Sequence, residues 1–126
     1  MFLFSTVIFA SNTKTETSSI ESRGLLFENT TVGESNGHYV STEFATPSKK
    51  SNNINVYFDN KGASSVTVTL EKKGLFGSWS EVDSFTAEMG KKPYKEMLGA
   101  SKSTYRIKVD SSSGAEIKGH LRAKQL

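Results

Sequence analysis

Cationic side chains alternate with apolar ones near the C-terminus, in the segment TYRIKVDSSSGAEIKGHLRA from Thr104 to Ala123. Alternation with a period of two is typical of β-strands, because successive side chains point to opposite faces of a sheet. Two such strands joined at the Ser/Gly turn predict a β-hairpin with one apolar and one basic face. Five cations and a histidine would share the basic face: Arg106, Lys108, Lys118, His120, Arg122 and Lys124.

This predicted basic face is a candidate binding surface for an anionic partner. Residues 91–126 carry nine Lys/Arg against three acids, a net charge of +6, which leaves −3 for residues 1–90. Like charges that face each other across strands are destabilising unless an anion or neighbouring carboxylates offset them. The alternative is a solvated edge hairpin whose lysines prevent strand-to-strand aggregation. Both interpretations remain open from the residues alone.

The aromatic residues help to define the class of anion. Binding of single-stranded nucleic acid needs exposed aromatic side chains interleaved with cations. Tyr105 falls on the apolar face of the predicted hairpin, and Tyr94 is the aromatic residue set among lysines. The pattern therefore disfavours nucleic acid and favours a cell-wall polyanion or an anionic membrane surface. Trp79, with Phe76 in the Gly-rich connection before it, is either a sugar-stacking or partner-binding tip or a core residue.

No arrangement of residues indicates catalysis or a bound cofactor. The chain has no cysteine, which excludes disulfides, a thiol nucleophile and a Cys-ligated metal. His38 and His120 are the only histidines, and they fall in different predicted strands, without a G-x-S-x-G motif to accompany them. Asp59 and Asp110 sit where β-sandwich loops can bind calcium, but the D-x-D-x-D-G spacing is missing. We therefore predict neither an enzyme nor a metal site.

The elements that would position these residues are short strands. Segments with period-two patterning are separated by turn signals every ~8–14 residues, and no convincing amphipathic helix is present. With 126 residues, the chain has room for one domain of ordinary size. We predict an all-β fold, an antiparallel β-sandwich of immunoglobulin-like or jelly-roll type with about seven strands. A small barrel is the alternative, and residues 88–103 are expected to form a long loop with at most a helical turn at 94–98.

The N-terminus points to export. Residues 1–10, MFLFSTVIFA, form an uncharged apolar run that is shorter than the roughly 20 residues of a transmembrane helix. The run has the length of the apolar region of a signal peptide, although no Lys or Arg precedes it, so a buried first strand is the alternative. Residues 11–22 read as a flexible linker, and 23–126 as one β-sandwich domain. We expect a secreted, extracellular protein without a transmembrane span, and export without cysteines suits a bacterium.

The C-terminal half also resembles a known family. The strand VTVTLEKK from Val66, a Gly/Trp connection, then YRIKVDSSSGA and a final strand are similar to β-sandwich accessory modules of secreted bacterial proteins, of the pre-peptidase C-terminal type. The resemblance implies a non-catalytic appendage. The family's usual final strand carries an aromatic residue, whereas Gly119 to Leu121 has none.

These observations predict a small secreted bacterial protein that binds without catalysis. Its expected partner is an anionic polymer or surface, either cell wall or membrane, bound through the basic C-terminal hairpin. One alternative is a secreted antimicrobial or toxin-like protein that acts through the same basic face. Another is a protein-interaction or inhibitor module that uses the loop from Leu75 to Trp79.

Overall fold

The structure, a computed structural model, describes residues 24–46, 53–98 and 103–125. The predicted signal segment and the whole of the predicted linker lie outside these residues. Nine strands follow one another along the described chain: β1 (Leu25–Glu34), β2 (His38–Val40), β3 (Phe44–Ala45), β4 (Asn53–Asn60), β5 (Val66–Lys73), β6 (Trp79–Ala87), β7 (Tyr94–Leu98), β8 (Thr104–Ser111) and β9 (Ile117–Gln125).

The strands form two antiparallel sheets. Sheet I has the order β1-β9-β4-β7, and sheet II has the order β2-β8-β5-β6, with the short β3 also paired to β8. The predicted all-β antiparallel sandwich is confirmed, with nine strands rather than about seven. No helix in the described residues is long and apolar enough to cross a membrane.

The core lies between the sheets and is built by strand alternation. In β4 and β8, every second side chain is buried, so each strand has one inward and one outward face. The largest fully buried side chains of the two strands are Phe58 and Tyr105. Because the inward side chains of both sheets meet in one cluster, the outward faces of the two sheets point in opposite directions.

Gly119 in β9 is required by the packing of β4. A Cβ atom at this position would clash with the backbone carbonyl oxygen of Asp59 and would lie 2.8 Å from Cζ of Phe58, closer than carbon atoms approach in packed proteins. Any larger residue at Gly119 would displace this fully buried ring.

The segment from Tyr94 to Leu98 corrects the predicted loop. It forms the edge strand β7, which pairs with β4 from Tyr57↔Tyr94 to Asn53↔Leu98. Only Met97 of this strand is buried, and the other four side chains are exposed. The strand was missed because a single inward side chain leaves no visible alternation in the sequence.

The predicted C-terminal hairpin is wrong. β8 pairs with β2, β3 and β5 in sheet II, whereas β9 pairs with β1 and β4 in sheet I. Both edges of each strand are thus occupied by other partners, and the Ser/Gly segment carries the chain from one sheet to the other. The apolar faces of β8 and β9 meet across the core. Their basic faces therefore lie on opposite sides of the molecule.

An ion pair connects the edge strands of the two sheets. Nζ of Lys95 in β7 donates a hydrogen bond of 2.9 Å to Oδ1 of Asp83 in β6. This hydrogen bond, followed by one from the backbone N–H of Ser84, holds the pKa of the Asp83 carboxyl below its ordinary value of 3.8. The ionised carboxylate thus stabilises the folded state, but only modestly, because both side chains are partly exposed.

The ion pair predicts a pH-dependent stability. Asp83→Asn should lower the free energy of unfolding at neutral pH by less than ~1 kcal/mol. A carboxyl whose folded pKa is lowered stabilises the fold above the unfolded pKa, and this contribution is lost as pH falls through the folded value. The difference between wild type and variant should therefore shrink as pH falls below 3.8 and disappear once pH is below the folded pKa of Asp83. Urea unfolding across a pH series measures it, and a deficit that persists in acid would contradict the prediction.

Candidate functional site

The structure separates the six residues of the predicted basic face into two groups. Arg106 and Lys108 in β8 point outward from sheet II. The members in β9 point outward from sheet I, on the opposite side of the sandwich: Lys118, His120, Arg122 and Lys124. A single partner surface cannot contact both groups at once.

On sheet II, the cations are neutralised by the protein itself. Nε of Arg106 donates a hydrogen bond of 2.7 Å to Oε1 of Glu71 in β5, and Nζ of Lys108 lies 3.6 Å from Oε2 of the same carboxylate. The Glu71 side chain is only 12% exposed. One shielded carboxylate thus serves two cations, as expected for neighbouring acids that offset cross-strand repulsion.

Trp79 also belongs to this outer face. The guanidinium carbon of Arg106 lies 4.3 Å from the centroid of the Trp79 ring, and Nζ of Lys73 lies 5.9 Å from it. Trp79 is half-buried and lies outside the core cluster. The Arg106 guanidinium packs on the Trp79 ring in a cation–π contact, which leaves less of the ring surface available for a ligand.

Sheet I presents a different arrangement, in which outward side chains form rows across the strands. One row runs Tyr94, Tyr57, Arg122 and Glu28, from β7 through β4 and β9 to β1. The next row contains Glu96, Asn55 and Lys124. Neighbouring strands are ~4.8 Å apart, so the side chains of one row are in reach of each other.

Tyr57 is at the centre of this face. The guanidinium carbon of Arg122 lies 4.9 Å from the Tyr57 ring centroid, and the His120 ring approaches it edge-on with centroids 5.6 Å apart. Nε2 of His120 is 2.6 Å from Oε2 of Glu28, which holds the imidazole in place. These contacts orient the tyrosine and the guanidinium before any ligand binds.

An open depression of about 290 Å³ lies beside Tyr57. Among the described residues, its lining contains two aromatic rings, one amide and two cations, and no carboxylate: Asn55, Tyr57, Tyr94, Arg122 and Lys124. Tyr94 is 69% exposed, so its ring is available to a ligand. Within the part of the chain that the structure describes, no carboxylate lies at ion-pair distance from Arg122 or Lys124.

The site does not resemble a metal centre. Among residues 24–46, 53–98 and 103–125, no group of three or more His, Cys, Asp or Glu side chains could hold a metal ion. The two histidines are each paired with one carboxylate, His38 with Asp110 at 2.9 Å and His120 with Glu28, in different sheets.

The sequence predicts part of this depression. Arg122 and Lys124 were predicted, and Tyr94 was singled out for its lysine neighbours. Tyr57 and Asn55 were missed, although the alternation in β4 already put them on the polar face of the strand. An aromatic residue on the polar face of an alternating strand is the signal that could have identified the site.

The fold and the depression define the protein as a β-sandwich domain with an aromatic and cationic site on one sheet face. No family model and no curated protein match the chain. Among solved structures it is similar to PirA, with a TM-score of 0.57 and 16% identity over 79% of this chain and 94% of that chain. This similarity shows the fold alone.

Two further solved structures align more loosely. One is the Yersinia pseudotuberculosis-derived mitogen, with a TM-score of 0.47 and 16% identity over 79% of this chain and 86% of that chain. The other is CBM1 of BiXyn10A, with a TM-score of 0.48 and 9% identity over 79% of this chain and 97% of that chain.

The role of Glu71 can be tested by substitution. Glu71→Gln should lower the free energy of unfolding by ~1–3 kcal/mol, because Arg106 and Lys108 would face each other without a counter-charge. Glu81→Gln is the matched control, since Glu81 lies opposite Glu71 on β6 but is exposed, and it should change stability by less than ~0.5 kcal/mol. Equal effects of the two substitutions in urea unfolding would refute the assigned role.

Proposed function

We propose that this protein is an exported, non-catalytic binding protein that recognises an acidic sugar unit of a cell-surface glycan through the outer face of sheet I. The observation that carries the proposal is the depression at Tyr57 and Tyr94, whose two cations have no carboxylate partner in the described residues. The exposed ring of Tyr94 fits the apolar face of a sugar ring, and the cations fit its carboxylate.

The size of the depression supports a small unit. Ligand pockets have volumes of ~300–1,000 Å³, and this depression lies at the lower limit of that range. Because it is open, a unit inside or at the end of a longer chain can reach it. Asn55 lies in β4 with Tyr57, between the strand that carries Tyr94 and the strand that carries the two cations, where its amide can bind a sugar hydroxyl.

Carboxylates around the depression favour a local acidic group over a continuous polyanion. Glu28 ends the row of Arg122, Glu96 lies opposite Asn55, and Asp59 lies opposite His120. A phosphate backbone crossing the sheet would meet these negative charges, which would repel it. The arrangement therefore supports a uronic- or sialic-type sugar rather than single-stranded nucleic acid.

The proposal of binding without catalysis rests on the same contacts. His120 is turned towards Glu28 and Tyr57, at the side of the depression rather than in its lining. Export to the cell exterior, the similarity to pre-peptidase C-terminal modules and a toxin-like activity remain predictions from the sequence. The mature N-terminus of the exported protein would test the first of these.

A glycan panel tests the ligand class. The protein should bind carboxylated glycans, and binding should be lost when the carboxylates are methyl-esterified, because Arg122 and Lys124 then have no charge to pair with. A single-stranded oligonucleotide should not compete. Equal binding of an acidic glycan and its ester, or no glycan binding at all, would count against the proposal.

Two substitutions test the site itself. Arg122→Ala should weaken binding of the acidic glycan by at least ~10-fold, because a charged hydrogen bond is lost. Tyr94→Ala should weaken it by about 2- to 10-fold through the loss of ring stacking, without affecting the fold, since the ring is exposed. Lys118→Ala is the matched control, because Lys118 is an exposed cation of the same strand that does not line the depression. Calorimetric titration of these variants measures the differences.

A further inference from the structure

The turn between β5 and β6 has a fixed backbone. The N–H of Gly74 donates to the carbonyl of Ser78 at 2.7 Å, and the N–H of Gly77 donates to the carbonyl of Gly74 at 3.1 Å. Gly77 adopts a φ of +84°, the left-handed conformation that closes such hairpin loops. Leu75 and Phe76 occupy the two central positions of this turn. We call this pair of residues the apolar tip.

The apolar tip is exposed to an unusual degree. Leu75 is 98% and Phe76 97% exposed, so neither side chain contributes to the core. Central turn positions accept most polar residues, and nothing in the hydrogen bonding of the turn requires large apolar ones. Two adjacent apolar side chains held out into solvent indicate a partner outside the monomer.

A cationic depression adjoins the apolar tip. It has a volume of about 400 Å³ and is lined by lysines and hydroxyls as well as the tip itself: Lys72, Lys73, Gly74, Leu75, Ser103 and Thr104. The Lys73 ammonium is 3.4 Å from the Glu43 carboxylate and is only partly neutralised by it, because both side chains are well exposed. Ammonium and hydroxyl groups beside an apolar pair fit a phosphate that is attached to a hydrocarbon.

We propose that the apolar tip inserts into the surface of an anionic phospholipid bilayer, with a headgroup phosphate held in the depression beside it. A protein partner would need roughly 1,000 Å² of buried surface, whereas interfacial insertion needs only a few apolar side chains and nearby cations. Moving Leu75 and Phe76 out of water favours the bound state by about 10-fold or more for each side chain. Each lysine near an anionic surface adds about 5-fold.

This membrane site is separate from the sheet I face. The apolar tip lies at the end of the sandwich where β5 finishes and β6 begins, whereas Tyr57 and Arg122 lie on its flank. Substitutions at one site therefore leave the other intact, and the two proposals can fail independently.

Vesicle binding tests the inference. The full-length chain should sediment with vesicles of equal parts phosphatidylcholine and phosphatidylglycerol, and much less with phosphatidylcholine alone, because the lysines need anionic headgroups. The double variant Leu75→Ser/Phe76→Ser should lower the partition coefficient at least ~10-fold. Its thermal unfolding should be unchanged, since both side chains are exposed.

Met89→Ser is the matched control. Met89 is 60% exposed in the turn after β6, at the opposite end of the sandwich, and its substitution should leave vesicle binding unchanged. The inference is wrong if wild type does not bind the anionic vesicles, or if the double variant binds them as well as wild type. It is also wrong if the wild-type chain is a dimer in solution that the double substitution dissociates without an effect on vesicle binding.

Discussion

The structure depends on the meeting of two strands, β8 and β9, across the core. Each is hydrogen-bonded on both edges within its own sheet, and each buries every second side chain against the other sheet. Ile107 and Leu121 are among the residues that have no exposed surface as a result. Apolar contact between the sheets is the main source of stability in such a fold. It also forces the charged alternate positions of the two strands onto opposite flanks.

The outer faces of the two sheets differ in how their cations are paired, and the Glu71 carboxylate accounts for this difference. Glu71 lies between Arg106 and Lys108, so these two cations of sheet II are paired within the protein. On sheet I, Glu28 contacts His120 instead of Arg122, and the guanidinium packs on Tyr57. Because the Glu28 carboxylate is paired with His120, the positive charge of Arg122 stays available, and the Tyr57 ring holds the guanidinium in one orientation. This distribution of partners, rather than the total charge, singles out the sheet I face.

Alternation in the sequence predicted the sandwich and the direction of most side chains, since a period of two depends only on local backbone geometry. Which strands are neighbours depends on long-range pairing, and an isolated pattern does not contain that information. β8 and β9 therefore read as one hairpin, although they belong to different sheets. Arg122 could be predicted as a binding residue, but its proximity to Tyr57 and Tyr94 follows only from the pairing of β4 with β7 and β9.

The apolar tip and the sheet I face lie at an end and on a flank of one rigid sandwich, which has a consequence for avidity. A domain held at a bilayer by its end would present its flank sideways, to chains that rise from the same surface. The second contact would then form at a high effective concentration, so two weak interactions could give firm attachment to a surface that offers both. A surface with only one of the two would retain the protein briefly. The protein could thus distinguish between cells by requiring both the lipid and the glycan on one surface, without high affinity for either.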